Sequence, residues 1–222
     1  MVVLGTKVYV HGEARKRAMK SLGSQISNTL GDLQVEFELG LRHDDFPSVT
    51  IDGPDETVAR NLLREEWGEI VPDREAAGEQ VGTLDSWDED GFVLDAGEPI
   101  RVPTDGIGLG GGTPSQIRQR FGLVQHLPLR VDLGETVQLS ENERDRLYEW
   151  RRGETGRVNV NSATRSAVRA TVNRAGHAED VITVERLGLL EQSIVCKPGT
   201  DPPGLLASIG PHLDSELLAV IP

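Results

Sequence analysis

Two aromatic rings and a scatter of guanidinium groups are the residues best suited to chemistry in this chain, and the chemistry they suit is nucleic-acid binding. Trp87 and Phe92 lie in one predicted hairpin, and Arg101 follows on the next extended run. Flat rings stack on unpaired bases for roughly 1–3 kcal/mol per base, while guanidinium forks grip phosphate oxygens in pairs. Arg118 and Arg120 form a further basic group, Arg151, Arg152 and Arg157 another, and Arg165 and Arg169 stand one helical turn apart beside Val168 and Val172. Near the N-terminus, Lys16, Arg17 and Lys20 fall on the helix face opposite an apolar stripe. All of these are read as RNA contacts. The competing readings are core packing for the two rings and solvated, glutamate-paired helix edges for the basic groups.

Other chemistries fit poorly. His11, His43, His126, His177 and His212 are scattered with no metal-ligand spacing, and the single Cys196 in an apolar run reads as a small buried hydrophobe. No Gly-x-Ser-x-Gly elbow is present, and His177 with Asp180 reads as a loop histidine near a strand entrance. Gly106–Gly112 lacks the Lys-Ser/Thr ending of a phosphate loop and reads as a mobile connection before a helix at Thr113-Pro114. The expectation is therefore a protein that is not an enzyme, with no cofactor and no metal.

The elements that must position these residues fall into three groups. Residues 3–10 alternate as a strand, and Ala18, Leu22, Ile26 and Leu30 mark a helix from Glu13 that stops at Gly31. Leu33–Leu41 and Ser48–Ile51 read as strands, a helix starts at Pro54, and a fourth strand is expected near Glu69–Val71. That β-α-β-β-α-β order predicts a ferredoxin-like sandwich over residues 1–72. Pro72–Gln80 reads as a linker. Over 78–136, two β-rich runs flank Asp90-Gly91, a third run ends at Pro103, a helix covers Gln116–Phe121, and a last strand covers Leu129–Leu133. Residues 140–222 start with a Ser140-capped helix and repeat the first pattern, with Ser162 as the cap of its first helix.

Several stretches carry resemblances. Gly82, Gly91, Phe92 and Val93 are spaced as in the opening hairpin of an S1-like domain, which implies a small closed oligonucleotide-binding barrel with Phe92 on its platform. The run Leu187–Leu206, with Arg118–Leu123 and Asp44–Val49, is similar to an uncharacterised archaeal, haloarchaeal-type protein family over nearly the whole length. That family implies this architecture and no catalytic residues. Asp201-Pro-Pro-Gly-Leu-Leu206 resembles the turn of small amino-acid-sensing domains, but here it follows a third strand instead of a first.

The charge pattern sharpens these expectations. The chain has 222 residues, a formal charge of −13, and only Lys7, Lys16, Lys20 and Lys197 as lysines, a surface resembling that of salt-loving archaeal proteins. In molar salt the Debye length falls to about 3 Å, so a negative total does not forbid an RNA partner. The positive charge is concentrated in two islands, residues 1–20 and 150–174, while 21–106 is strongly acidic. No apolar run reaches the length of a membrane span, so a cytoplasmic location is expected. The sequence thus predicts an α+β protein in which a central S1-like barrel is flanked by two ferredoxin-like sandwiches. It would bind single-stranded or structured RNA, within an assembly such as a ribosome or RNA polymerase. The alternatives are a protein–protein adaptor and a small-ligand-sensing regulator.

Overall fold

Alternation, caps and turns lay down three consecutive groups of elements, each built on one antiparallel sheet. The computed structural model describes residues 1–71 and 78–222. The first group holds β1 (Val2–Val3), α1 (Gly12–Thr29), β2 (Glu36–Leu41), β3 (Pro47–Asp52) and α2 (Glu56–Trp67). As the four-residue spacing requires, α1 buries Ala18, Leu22 and Ile26. The sheet order is β1-β3-β2. The strand predicted over residues 3–10 is cut to β1, because the chain then leaves the sheet for other partners: Val8 N–H donates to the Asp45 carbonyl at 2.8 Å, and the Thr6 hydroxyl accepts from Leu189 N–H at 3.0 Å. The expected fourth strand shrinks to a single Leu4–Glu69 bridge, supported by Ile70 N–H donating to the Val3 carbonyl at 2.8 Å.

Of the predicted linker, residues 72–77 lie outside the described residues, and Gly78–Gln80 already belong to a strand. The central group holds β4 (Gly78–Asp88), β5 (Gly91–Asp95), β6 (Pro99–Pro103), α3 (Thr104–Ile107), α4 (Pro114–Phe121), β7 (Pro128–Leu133), β8 (Val137–Leu139) and α5 (Glu141–Arg152). Gly91 turns the β4–β5 hairpin with φ +150°, and a Cβ there would lie 2.0 Å from the Val102 carbonyl oxygen. The strand order is β6-β5-β4-β7-β8, with no ladder between β6 and β8. The closed barrel is therefore not what the hydrogen bonds describe. Instead α3 packs beside both edge strands, so tightly that a Cβ on Gly106 would sit 2.2 Å from the Val137 carbonyl oxygen. The start of the glycine-rich run is thus a packed helix with Ile107 and Leu109 buried, not a mobile connection. The helix after it starts as its Thr113–Gln116 capping box dictates.

The last group holds β9 (Arg157–Val160), α6 (Arg165–Arg174), β10 (Val181–Arg186), β11 (Gln192–Cys196), α7 (Pro202–Ile209) and β12 (Leu217–Val220), with strand order β10-β11-β9-β12. The cap of α6 is Thr164, whose hydroxyl accepts from Ala167 N–H, and not Ser162. Ser162 takes φ +58° because its N–H is drawn to the Tyr9 hydroxyl at 2.8 Å. The three hydrophobic cores share side chains. Leu189 and Leu190 from the last group insert into the first core, and Val3, Phe46 and Val220 join the central one. Such exchange fixes the groups against one another through burial, at about 25 cal/mol per Å² of apolar surface removed from water.

Candidate nucleic-acid interface

The aromatic platform expected on the central sheet is occupied by the protein itself. Phe92 is 0% exposed and packed in the central core, on a strand whose neighbours are β4 and β6 in the sheet and α3 against it. Trp87 is half-buried, and its ring is covered by the Arg118 guanidinium at 3.7 Å. Arg118 is itself only 5% exposed and is paired with Glu216, so it is neither on the surface nor free. Arg101 is exposed but held by both oxygens of Asp88 at 2.8 and 2.9 Å, and that contact keeps the Asp88 carboxyl down at about 2. None of the chain's aromatic side chains is exposed. Tyr9 stacks on His126 with ring centroids 3.9 Å apart, and Tyr148 meets Phe121 edge-on at 5.5 Å.

The remaining basic residues divide in the same way. Arg120 donates to the Leu109 and Gly111 carbonyls at 2.9 Å, Arg151 caps the chain end at the Ile221 carbonyl, and Arg157 pairs with Glu185. Arg152 lies 4.9 Å from the Tyr148 ring centre. Lys16 pairs with Glu13 at 2.7 Å. By contrast, Arg17, Lys20, Arg165 and Arg169 are exposed, and the side chain of each lacks an ion-pair or hydrogen-bond partner among the described residues.

Three of these residues line two cavities between α1 and α6, while Lys20 lines neither. Arg17 and Ala14 of α1 and Thr164 and Ala167 of α6 line a cavity of about 510 Å³. Ser21, Ser24 and Gln25 of α1 and Arg165, Arg169 and Asn173 of α6 line a second, of about 630 Å³. Helix starts thus meet at one end and helix middles at the other, so α1 and α6 run side by side in the same direction. Their floor is the segment Leu187–Gln192, which supplies Leu190 to the first cavity and Leu189 and Gln192 to the second. Gln192 pins that floor, its amide donating to the Ala163 and Leu189 carbonyls at 3.2 and 3.1 Å. Among the described residues, Asp214 is the one acid lining either cavity. Arg17 from the first positive island thus lines one cavity and Arg165 and Arg169 from the second line the other, with little carboxylate in either.

Beneath the cleft lies a polar junction that the sequence did not reveal. The Tyr9 hydroxyl donates to Glu191 Oε1 at 2.6 Å while accepting from Ser162 N–H. Glu191 is 0% exposed, its Oε2 has no partner, and burial pushes its carboxyl up to about 8. Burial and the neighbouring Glu191 raise the Tyr9 phenol above its ordinary value. Burial, with Lys7 nearby, lowers His126. Two domains are thus latched by a neutral acid. Arg186 adds a second latch, stacked 4.1 Å from the Trp67 ring and donating to Gln25 and to Glu66 at 2.5 Å.

His177 and Asp180 do meet, and the structure adds a third member: His177 Nδ1 lies 2.7 Å from Asp180 Oδ2, and Nε2 lies 2.8 Å from the Ser208 hydroxyl. Ser208 sits in the last turn of α7, where the free backbone groups are carbonyls. That turn offers an oxyanion no N–H donors, and the arrangement ties the segment after α6 to α7. Cys196 is buried, which pushes its thiol up to about 11. No group of three His, Cys, Asp or Glu side chains among the described residues converges as metal ligands would. None of the helices among the described residues is long and apolar enough to cross a membrane.

Comparison with known proteins divides the chain where its sheets do. Residues 1–73 match the model of the DUF2110 N-terminal domain, 74–151 that of the DUF2110 central domain, and 155–221 that of the DUF2110 C-terminal domain. No curated protein and no solved structure gives a significant match.

Proposed function

We propose that this chain, which belongs to the DUF2110 family across all three of its domain models, binds RNA in the cleft between α1 and α6 and performs no chemistry of its own. The observation that carries this reading is that unpaired Arg17, Arg165 and Arg169, from distant parts of an acidic chain, line two cavities along the seam between α1 and α6. Exposed, unpaired guanidinium groups along one seam add little to stability and are well placed for an anionic polymer. The order β6-β5-β4-β7-β8, with helices between its third and fourth strands in sequence, supports reading the central domain as an S1-like relative of oligonucleotide-binding folds. The order β10-β11-β9-β12, and β1-β3-β2 with the Leu4–Glu69 bridge, supports ferredoxin-like readings of the outer domains. In this reading those domains supply the two walls, and the central domain holds them in place. The lysine-poor acidic surface supports an archaeal, high-salt cytoplasmic setting, and a ribosomal or RNA-polymerase assembly would supply such a ligand.

The test is a binding titration with labelled RNA in molar potassium chloride. Binding to the native chain and its loss in Arg165→Glu/Arg169→Glu supports the proposal. No binding, or binding unchanged by that double reversal, overturns it.

A further inference from the structure

We infer that the RNA this cleft takes is base-paired, held by its ribose–phosphate backbone and distinguished from DNA by its 2′-hydroxyls; the inference rests on the RNA-binding reading above. Two independent observations carry it. The first covers the whole molecule. Proteins that grip unpaired strands present aromatic rings to successive bases, and here every Phe, Tyr and Trp ring is buried or half-buried. The ring nearest such a role, Trp87, is capped by Arg118 and locked there by Glu216. Tyr9, in the first cavity, has its hydroxyl tied to Glu191 and its face on His126, with the imidazoles of His11 and His212 beside it, whereas the cavity of Arg165 and Arg169 is lined by no ring at all. An unpaired strand would find cations here and nothing to stack on.

The second observation is the chemistry of the walls. Ser21 and Ser24 of α1 line the same cavity as Arg165 and Arg169 of α6, and Asn173 continues the α6 wall, so that short hydroxyl and amide groups accompany the guanidinium groups. The Ser24 hydroxyl donates to the Lys20 carbonyl at 3.0 Å, which leaves its lone pairs to accept, and Asn173 is exposed with no partner among the described residues. Groups of this kind meet the two repeating features of a paired RNA, its phosphates and its 2′-hydroxyls, and ignore its inward-turned bases. From Arg165 to Asn173 the wall of α6 runs about 12 Å at 1.5 Å per residue, enough for two or three successive phosphates.

The experiment compares four probes of one length on the native chain: an RNA hairpin, the same hairpin with a scrambled stem sequence, an unpaired RNA, and the DNA hairpin. Expected are equal affinity for the two RNA hairpins and at least about tenfold weaker binding of the unpaired RNA and the DNA. The exposed-site variant Ser24→Ala/Asn173→Ala should narrow the RNA-to-DNA ratio by about fivefold per lost hydrogen bond while leaving DNA affinity unchanged. Unpaired RNA binding as tightly as the hairpin, or DNA binding as tightly as RNA, overturns the inference. If those probes bind equally and Arg165→Glu/Arg169→Glu still abolishes binding, the cleft reading survives and only the inference falls. If no probe binds, the RNA-binding reading itself fails.

Discussion

Glu191 offers the sharpest test of the latch beneath the cleft, because its carboxyl is fully buried and Gln can replace it with almost no change of shape. A free glutamate loses its proton near 4.5, whereas burial holds this one to about 8. Below pH 4.5 both folded and unfolded chains are protonated here, and the residue adds no pH dependence. Between 4.5 and 8 the unfolded chain has released a proton that the folded chain keeps, so folding becomes less favourable as pH rises. The slope is about 1.4 kcal/mol per pH unit, and it levels off above the folded value. Glu191→Gln removes this slope while preserving an oxygen to accept from the Tyr9 hydroxyl. Urea unfolding at pH 5, 6, 7 and 8 and constant salt, followed by fluorescence of Trp67, Trp87 and Trp150, gives the comparison. The stability of the variant minus that of the native chain should rise by about 1.4 kcal/mol per unit, or about 3 kcal/mol from pH 5 to 7. For a chain of this length that is a relative gain of roughly 6–12 °C in Tm. Two parallel stability curves across the range would refute the reasoning, since a carboxyl that titrates normally has no buried latch to report.

Other outcomes follow from the same geometry. Arg17→Glu, on the opposite wall from Arg165, should weaken RNA binding without changing Tm by more than about 1 °C, and reduce the salt slope of log affinity by about one unit. Phe92→Ala should cost about 3–5 kcal/mol in urea unfolding, whereas Phe92→Leu, which keeps the fold, should bind RNA as the native chain does. Reduced RNA affinity in a fully folded Phe92→Leu would restore the platform. Arg118→Met strands Glu216, which is partly exposed, and should cost on the order of 2–3 kcal/mol by thermal or urea unfolding. A serine-directed fluorophosphonate should leave Ser208 unlabelled by mass spectrometry, and Ser208→Ala should cost about 1 kcal/mol as the tie between α6 and α7 is lost.

Sequence alone was enough for whatever depends on neighbours a few residues away. The stripe Ala18-Leu22-Ile26, the Thr113-Pro114 start, the Ser140–Glu143 cap, the Asp90-Gly91 turn and the alternation of β2 all act over one or two helical turns or a single strand, and they marked helices and strands in all three parts without revealing α3, β8 or how the central sheet ends. Alternation says which residues share a face, but it does not say which face looks at solvent. Phe92 therefore read either as platform or as core, and its burial in the central core, with α3 packed against β5, decided it. Which arginines are free was likewise undecidable, since Asp88, Glu216 and Glu185 are carboxylates brought in by strand pairing and domain docking. The meeting of α1 with α6, and of Tyr9 with Glu191, was decided by the tertiary structure alone. Both depend on Leu189 and Leu190 burying themselves in a core built by the other end of the chain. Such a contact is set by the apolar area it removes from water, and it leaves no periodic trace in either segment.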